Sequence, residues 1–384
     1  MKNKLKYILI ILPLIVSSCS RQNQKHIDNN IALEELILQE KSESKLSLMY
    51  DSVQYIALET SESSILSGMI SLAYIDDEDI FIKSNKLMYR FNKDGSFGNK
   101  IGAVGQGSNE YIIPYKFQFD NKNNQVIVLV ENNSIQFWDY NGTFCQEINL
   151  NSDLNFKSFG YHNELLYCQG RRYHDSGGVD IEMVIFNRKG EKLSEYLVYS
   201  DKEKVAVTFE SPSLFYTFND TIRYANTFNS YIQSLMLNRV EEYKNLNLNN
   251  HQPTRNLTED ISLKSKLLSD YIQVLDILES DKYMFFIIYF NKTLSTLVYD
   301  KVALKSILYS DLDHPNNGGG IKNDINDIGN FYPSYINDKK SYGLLHPIHL
   351  SEKELVKLNK LNSSSLYNVD FESNPVIVIC TETK

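Results

Sequence analysis

Positive charge is what this sequence is short of. Lys and Arg number 39 against 48 Asp and Glu, a formal net charge of −9. A nucleic-acid surface needs clustered cations to neutralise phosphates, so no DNA or RNA partner is expected. Tryptophan occurs once, proline eight times and glycine 17 times. Cysteine is scarce as well, with four in 384 residues. The recognisable catalytic motifs are missing: there is no Gly-x-Ser-x-Gly elbow, and no Ser or Cys is tied by spacing to a particular His, so nucleophilic catalysis has no positive support. Gly102, Gly105 and Gly107 resemble a phosphate loop only superficially. A dinucleotide site requires strand, glycine loop and helix in that order, and no helical pattern follows them. No cofactor is therefore assigned.

What is present in quantity is tyrosine (26), phenylalanine (19) and an overall hydrophobic share of 42%. That is enough for one large core or two smaller ones, and it excludes general disorder. Aromatic strand formers set among abundant asparagine favour an all-β protein.

The N-terminus carries the most specific signal. Lys2, Lys4 and Lys6 precede an apolar run from Tyr7 to Val16, too short to span a bilayer as a helix and right for a secretion signal. It ends in Val16-Ser17-Ser18-Cys19, which resembles the lipobox of bacterial lipoproteins, where the cysteine thiol is acylated and becomes the first residue of the mature chain. The expected organisation is a signal peptide over 1–18, a lipidated tether and lead-in over 19–50, and a folded domain over 51–384. Membrane contact is then expected through the acyl chains on Cys19. Ser20 in place of Asp after that cysteine resembles the outer-membrane sorting signal of Gram-negative bacteria, and the polar Ser20 to Asn30 stretch lacks the acidic run of many surface-exported lipoproteins. A periplasm-facing attachment is expected. Cys145, Cys168 and Cys380 remain, an odd number for an oxidising compartment. All three sit beside apolar or β-branched residues and read as buried strand thiols.

Self-similarity dominates the rest. Phe91-Asn-Lys-Asp-Gly95-Ser-Phe97, Trp138-Asp-Tyr-Asn-Gly142-Thr-Phe144 and Phe186-Asn-Arg-Lys-Gly190-Glu-Lys192 place their glycines 47 and 48 residues apart. Each is an aromatic strand end, a turn with glycine suited to positive φ, and a resuming strand. Further strands lie upstream of each, and four strands per 40 to 50 residues is the pattern of a propeller blade. Leu214 to Leu246 and Tyr271 to Tyr309 supply a fourth and a fifth blade. A sixth uses Tyr332 to Ile336 and Tyr342 to Ile348. Its outer strands are expected from the chain ends, Val53 to Leu58 and Pro375 to Thr381, which would close a six-bladed β-propeller and remove its edges. Ser351-Glu-Lys-Glu354 reads as a capping box opening a helix, and Thr258 as the cap of another. Asp311 to Gly329 reads as the longest loop.

The stretches Val53 to Ser61, Phe91 to Phe97, Ile101-Gly102 with Gly105 to Tyr111, and Asn374 to Val378 resemble the six-bladed β-propeller lipoproteins of gut-type Gram-negative anaerobes, relatives in shape of the NHL-repeat propellers. The sequence has Gly107-Ser-Asn-Glu-Tyr111 where that family usually shows Gly-Pro-Gly-Glu-Tyr. The resemblance implies a scaffold and an envelope location, and no particular reaction.

Candidate site residues are few. Arg171, Arg172, Tyr173 and His174, read as the connection between the second and third strands of blade three, combine guanidinium groups able to grip a carboxylate or sulfate with a ring on which a sugar can stack. A solvated loop is the competing reading. His346 and His349 flank a proline that favours extended backbone, where residues three apart face opposite sides, so no metal site is assigned. Asn323, Asp324, Asn326 and Asp327 are oxygen-rich but lack the Ca²⁺-loop order. The glycines at 102, 105 and 107 read as the crossing between blades one and two, fixed by Glu110 and Tyr111. The expected function is a binding or interaction module for a glycan or an envelope protein. A propeller-based polysaccharide hydrolase or lyase is the alternative, since active-site residues converging from several blades leave no spacing signal.

Overall fold

The computed structural model describes residues 30–31, 45–107, 110–175, 179–201, 213–226, 230–248, 251, 271–310, 320–362 and 367–383. Cys19, the helix expected after Thr258 and the glycine run at 318–319 lie outside them.

Among the described residues the chain forms six antiparallel blades arranged as a propeller. The blades begin with innermost strands Ile70–Ile75, Pro114–Asp120, Ser158–His162, Ser213–Phe218, Gln273–Glu279 and Pro333–Asn337. Blades one to five then add three strands each in sequence order. Blade six is assembled from both ends: Pro333–Asn337, Lys340–Leu345 and the C-terminal Val376–Glu382 are completed by the N-terminal Tyr50–Ala57 as outer strand. Val53 stands opposite Cys380, Ile56 opposite Ile377 and Ala57 opposite Val376. The ring is thus closed by pairing of the chain ends, as the strand count predicts. Part of the lead-in also docks, because Asn30–Ile31 pairs in parallel with the outer strand of blade four and buries Ile31.

The core is divided into six wedges, each between neighbouring blades. Ile80, Ile82 and Phe91 of blade one meet Ile377 and Ile379 of blade six. Phe81 and Met88 meet Val126, Val128 and Trp138 of blade two. Middle strands are therefore covered on both faces, which is why Gln125–Val130 and Tyr283–Phe290 read as nearly continuous apolar runs.

The repeated turn has a physical reason for its glycine. Gly95, Gly142 and Gly190 have φ of 88°, 83° and 80°, and their turns pack against the outer strand of the preceding blade. A Cβ on Gly95 would collide with the carbonyl oxygen of Ala57, and one on Gly142 with that of Lys100. Glycine is held there by backbone conformation and by blade spacing together.

Between the second and third strands of blade six lies helix α1, Glu352–Leu361, opened by the expected capping box of Ser351 and Glu354. Leu355 and Leu358 bury its apolar face in the wedge between blades five and six. Two expectations are corrected nearby. Pro347–His349 forms a 3-10 turn with proline at its start, not extended backbone, and it brings the His346 and His349 rings to 6.1 Å. The stretch Asp311 to Gly329 is not loop throughout, because Ile321–Lys322 is a strand that pairs with Asn330–Phe331 just beyond it. Asn323 is buried there and donates to Tyr55 Oη (2.8 Å) and the Ile328 carbonyl (3.1 Å), while Asp324 accepts from Ser47 Oγ (2.6 Å). These side chains secure the N-terminal segment and the loop itself.

Candidate functional site in the axial cavity

The innermost strands of all six blades line one cavity of about 850 Å³ on the propeller axis, within the size range of small-molecule sites. Four of these strands carry a register shift that leaves one residue extra: Ala73, Tyr115, Leu275 and Ser334 in blades one, two, five and six. A bulge breaks strict alternation and re-aims the following side chain. Those following residues are Tyr74, Lys116, Asp276 and Tyr335, and all four line the cavity.

The wall has an aromatic side and a charged one. Tyr74 stacks on Phe119 (centroids 4.7 Å apart, planes at 19°) and meets Tyr335 edge-on at 5.6 Å, which joins blades six, one and two. Burial raises the Tyr74 phenol far above its ordinary range, so it stays neutral, donating to Asp76 at 3.2 Å. Lys83 enters from the second strand of blade one, where its partner on the innermost strand is the small Ser71. Its ammonium lies 6.0 Å from the centre of the Phe117 ring. Burial pushes the Lys83 pKa down, and the like charge of Lys116 adds to that. Asp276 is exposed to the cavity, yet the protein crowded around it still pushes its carboxyl up, against the opposing pull of the Lys116 charge and of the Ile277 backbone N–H, which donates to it at 2.9 Å.

Other polar groups of the cavity wall are paired. Glu279 accepts from Tyr216 Oη (3.0 Å), Tyr243 Oη (2.6 Å) and Lys301 Nζ (2.9 Å), tying blade four to blade five. At one mouth Lys122 pairs with Glu164 (3.0 Å), and His162 lies 3.3 Å from Asp220. Among the described residues no group of three or more His, Cys, Asp or Glu is placed to hold a metal ion.

The residues singled out from the sequence lie elsewhere. The second strand of blade three runs from Leu165 to Tyr173, so Arg171, Arg172 and Tyr173 belong to that strand and not to the connection after it. The reason is register: Arg171 pairs with Ile181 and Arg172 with Asp180 in an unbroken ladder. Adjacent strand residues face opposite sides, so the two guanidinium groups do not act as one grip. Arg172 is engaged by Glu182 (Nε to Oε1, 2.7 Å) and Asp153 (Nη1 to Oδ2, 2.7 Å). His174 approaches the Asp180 carboxylate at 2.9 Å without hydrogen-bond alignment, and the Tyr173 ring is exposed. None of the four lines the axial cavity.

The glycine crossing between blades one and two is built as expected. Gly107 N–H donates to Glu110 Oε2 (2.7 Å), Gly105 N–H to the Tyr111 carbonyl (3.1 Å) and the buried Tyr111 hydroxyl to the Ile101 carbonyl (3.3 Å). Of the three thiols, Cys168 and Cys380 are buried, whereas Cys145 is exposed, contrary to expectation. It stands on the outermost strand of blade two, where alternate residues face solvent.

Sequence reasoning missed Lys83, Lys116 and Asp276. The available signal was a charge set against an apolar run, as in Ile80-Phe81-Ile82-Lys83 and Val274-Leu275-Asp276-Ile277.

Residues 28–381 match the model of a family described as a domain of unknown function, DUF4934, and the chain belongs to that family. No curated protein matches it. Among solved structures, an exported protein of Bacteroides fragilis NCTC 9343, so described, is similar with a TM-score of 0.64 at 17% identity, over 93% of this chain and 99% of that one. A chain of a nidogen/laminin complex is similar with a TM-score of 0.40 at 13% identity, over 64% of this chain and 81% of that one. The first likeness supports the fold.

Proposed function

We propose that this chain is an exported β-propeller lipoprotein, anchored to the outer membrane through acyl chains on Cys19 and facing the periplasm, that works as a glycan-binding module. The observation that carries the binding reading is the axial cavity, which has a row of three aromatic rings on one wall and ionisable groups from three blades on another. Aromatic faces suit the apolar faces of sugar rings, and placed charges supply orientation. Export agrees with Lys2, Lys4 and Lys6 before the apolar run to Val16, and with the description of the Bacteroides fragilis neighbour. The lipoprotein resemblance, with its NHL-like shape, points the same way.

One observation favours a second reading, a polysaccharide hydrolase or lyase. Lys83, Lys116 and Asp276 share one cavity, and the Lys116 charge bears on the ionisation of both Lys83 and Asp276, an arrangement common in catalytic sites. Screening the chain on immobilised bacterial and host glycans, then incubating each binder with protein and analysing products, separates the two. Retained glycan with no product supports the module. Shortened or unsaturated product supports the enzyme. Capture of envelope proteins alone would replace the glycan with a protein partner.

A further inference from the structure

We infer that the axial cavity is an anion seat, taking a ligand that carries a carboxylate or a sulfate between Lys83 of blade one and Lys116 of blade two. This rests on the reading that the cavity holds the ligand, and it adds the charge of what is held.

The two ammonium groups reach the same space by different devices. Small Ser71 opposite Lys83 leaves the longer side chain a path to the axis, and the bulge at Tyr115 turns Lys116 inward. Among the described residues neither has a carboxylate in ion-pair contact. That sets them apart from neighbouring cations, since Arg90 is paired with Asp79, Arg188 with Asp120, Lys301 with Glu279 and Lys122 with Glu164. Acidic groups outnumber basic ones in the chain, so counter-ions are not in short supply. Two half-buried like charges lining one cavity raise the energy of that cavity when it is empty, and an anion between them relieves both the repulsion and the lost hydration. Among the described residues Asp276, the carboxylate whose ionisation responds to Lys116, has one hydrogen bond, from its neighbour's N–H. It therefore competes weakly with an incoming anion for Lys116. The row of Tyr74, Phe119 and Tyr335 in the same cavity gives a sugar ring attached to that anion a surface to lie on.

The test is isothermal titration of the full chain with digalacturonate, with inorganic sulfate and with neutral digalactose. One or both anions should bind with the neutral disaccharide silent, and which anion binds identifies the group. Lys83→Met and Lys116→Met should each weaken anion binding by about tenfold or more. Asp276→Asn should tighten it, and Lys305→Met, on the outermost strand of blade five and away from the cavity, should leave it unchanged. Lys→Gln at each position repeats the test should a Met variant lose its cooperative melt. Anion binding that survives both lysine substitutions would overturn the inference. Digalactose bound as tightly as digalacturonate would overturn it too, while leaving the cavity as a glycan seat. Silence from all three probes, in the Asp276→Asn variant as well, would overturn both readings.

Discussion

Arg188, in the repeated turn of blade three, forms an ion pair with Asp120 at the end of the innermost strand of blade two. The contact joins the outer part of one blade to the hub of the one before it. The guanidinium also lies 4.9 Å from the centre of the Phe137 ring and donates to Tyr161 Oη at 3.0 Å. Asp120 is almost fully buried, so removing its partner strands a carboxylate. Arg188→Ala is expected to lower the unfolding free energy by about 3 kcal/mol, measured by urea denaturation.

The same pair sets an acid limit. Burial alone would raise the Asp120 carboxyl, but hydrogen bonds from Asn123 and Tyr161 and the charge of Arg188 outweigh it and hold the group below the ordinary carboxylate range. A depressed native value gives stability that is complete above about pH 4, the ordinary range, and is lost as pH falls through the native value. In Arg188→Ala the native value moves up, so the acid limb of a stability-against-pH curve should flatten. An unchanged limb would remove this pair from the account of acid sensitivity.

Gly142→Ala is expected to cost about 2 kcal/mol, from a left-handed backbone that an L side chain resists and from the approach of the Lys100 carbonyl. A melt within the error of wild type would show that the repeated glycine is dispensable.

Closure of the ring offers a gain-of-stability test. Val53 and Cys380 are direct cross-strand partners, a separation that suits a disulfide. Val53→Cys should cross-link the chain ends in oxidising buffer, remove one free thiol by titration and raise Tm.

How much of this was legible follows from where each signal sits in the chain. The first three blades could be read because each needs a glycine at positive φ in one turn, and that demand recurs at Gly95, Gly142 and Gly190. Blade six was faint because its four strands come from both ends of the chain and are parted by helix α1. The arginine cluster was visible as a run, but its neutralising partner Asp153 lies 19 positions before Arg172, beyond the reach of a local pattern. The cavity was least legible, since Lys83, Lys116 and Asp276 are charges set among apolar neighbours in separate strands. Only ring closure and the inner-strand bulges bring them together.

Ser71 is an exposed residue lining the axial cavity, paired across the ladder with Lys83, so Ser71→Trp should set an indole in the lumen beside that lysine without entering a wedge of the core. Whether the ligand sits in this cavity is decided by a glycan-array comparison of wild type with Ser71→Trp, both verified by far-UV spectrum and melt. The wild-type signals should fall sharply or vanish in the obstructed variant. Signals that persist unchanged would move the binding surface to the outside of the ring.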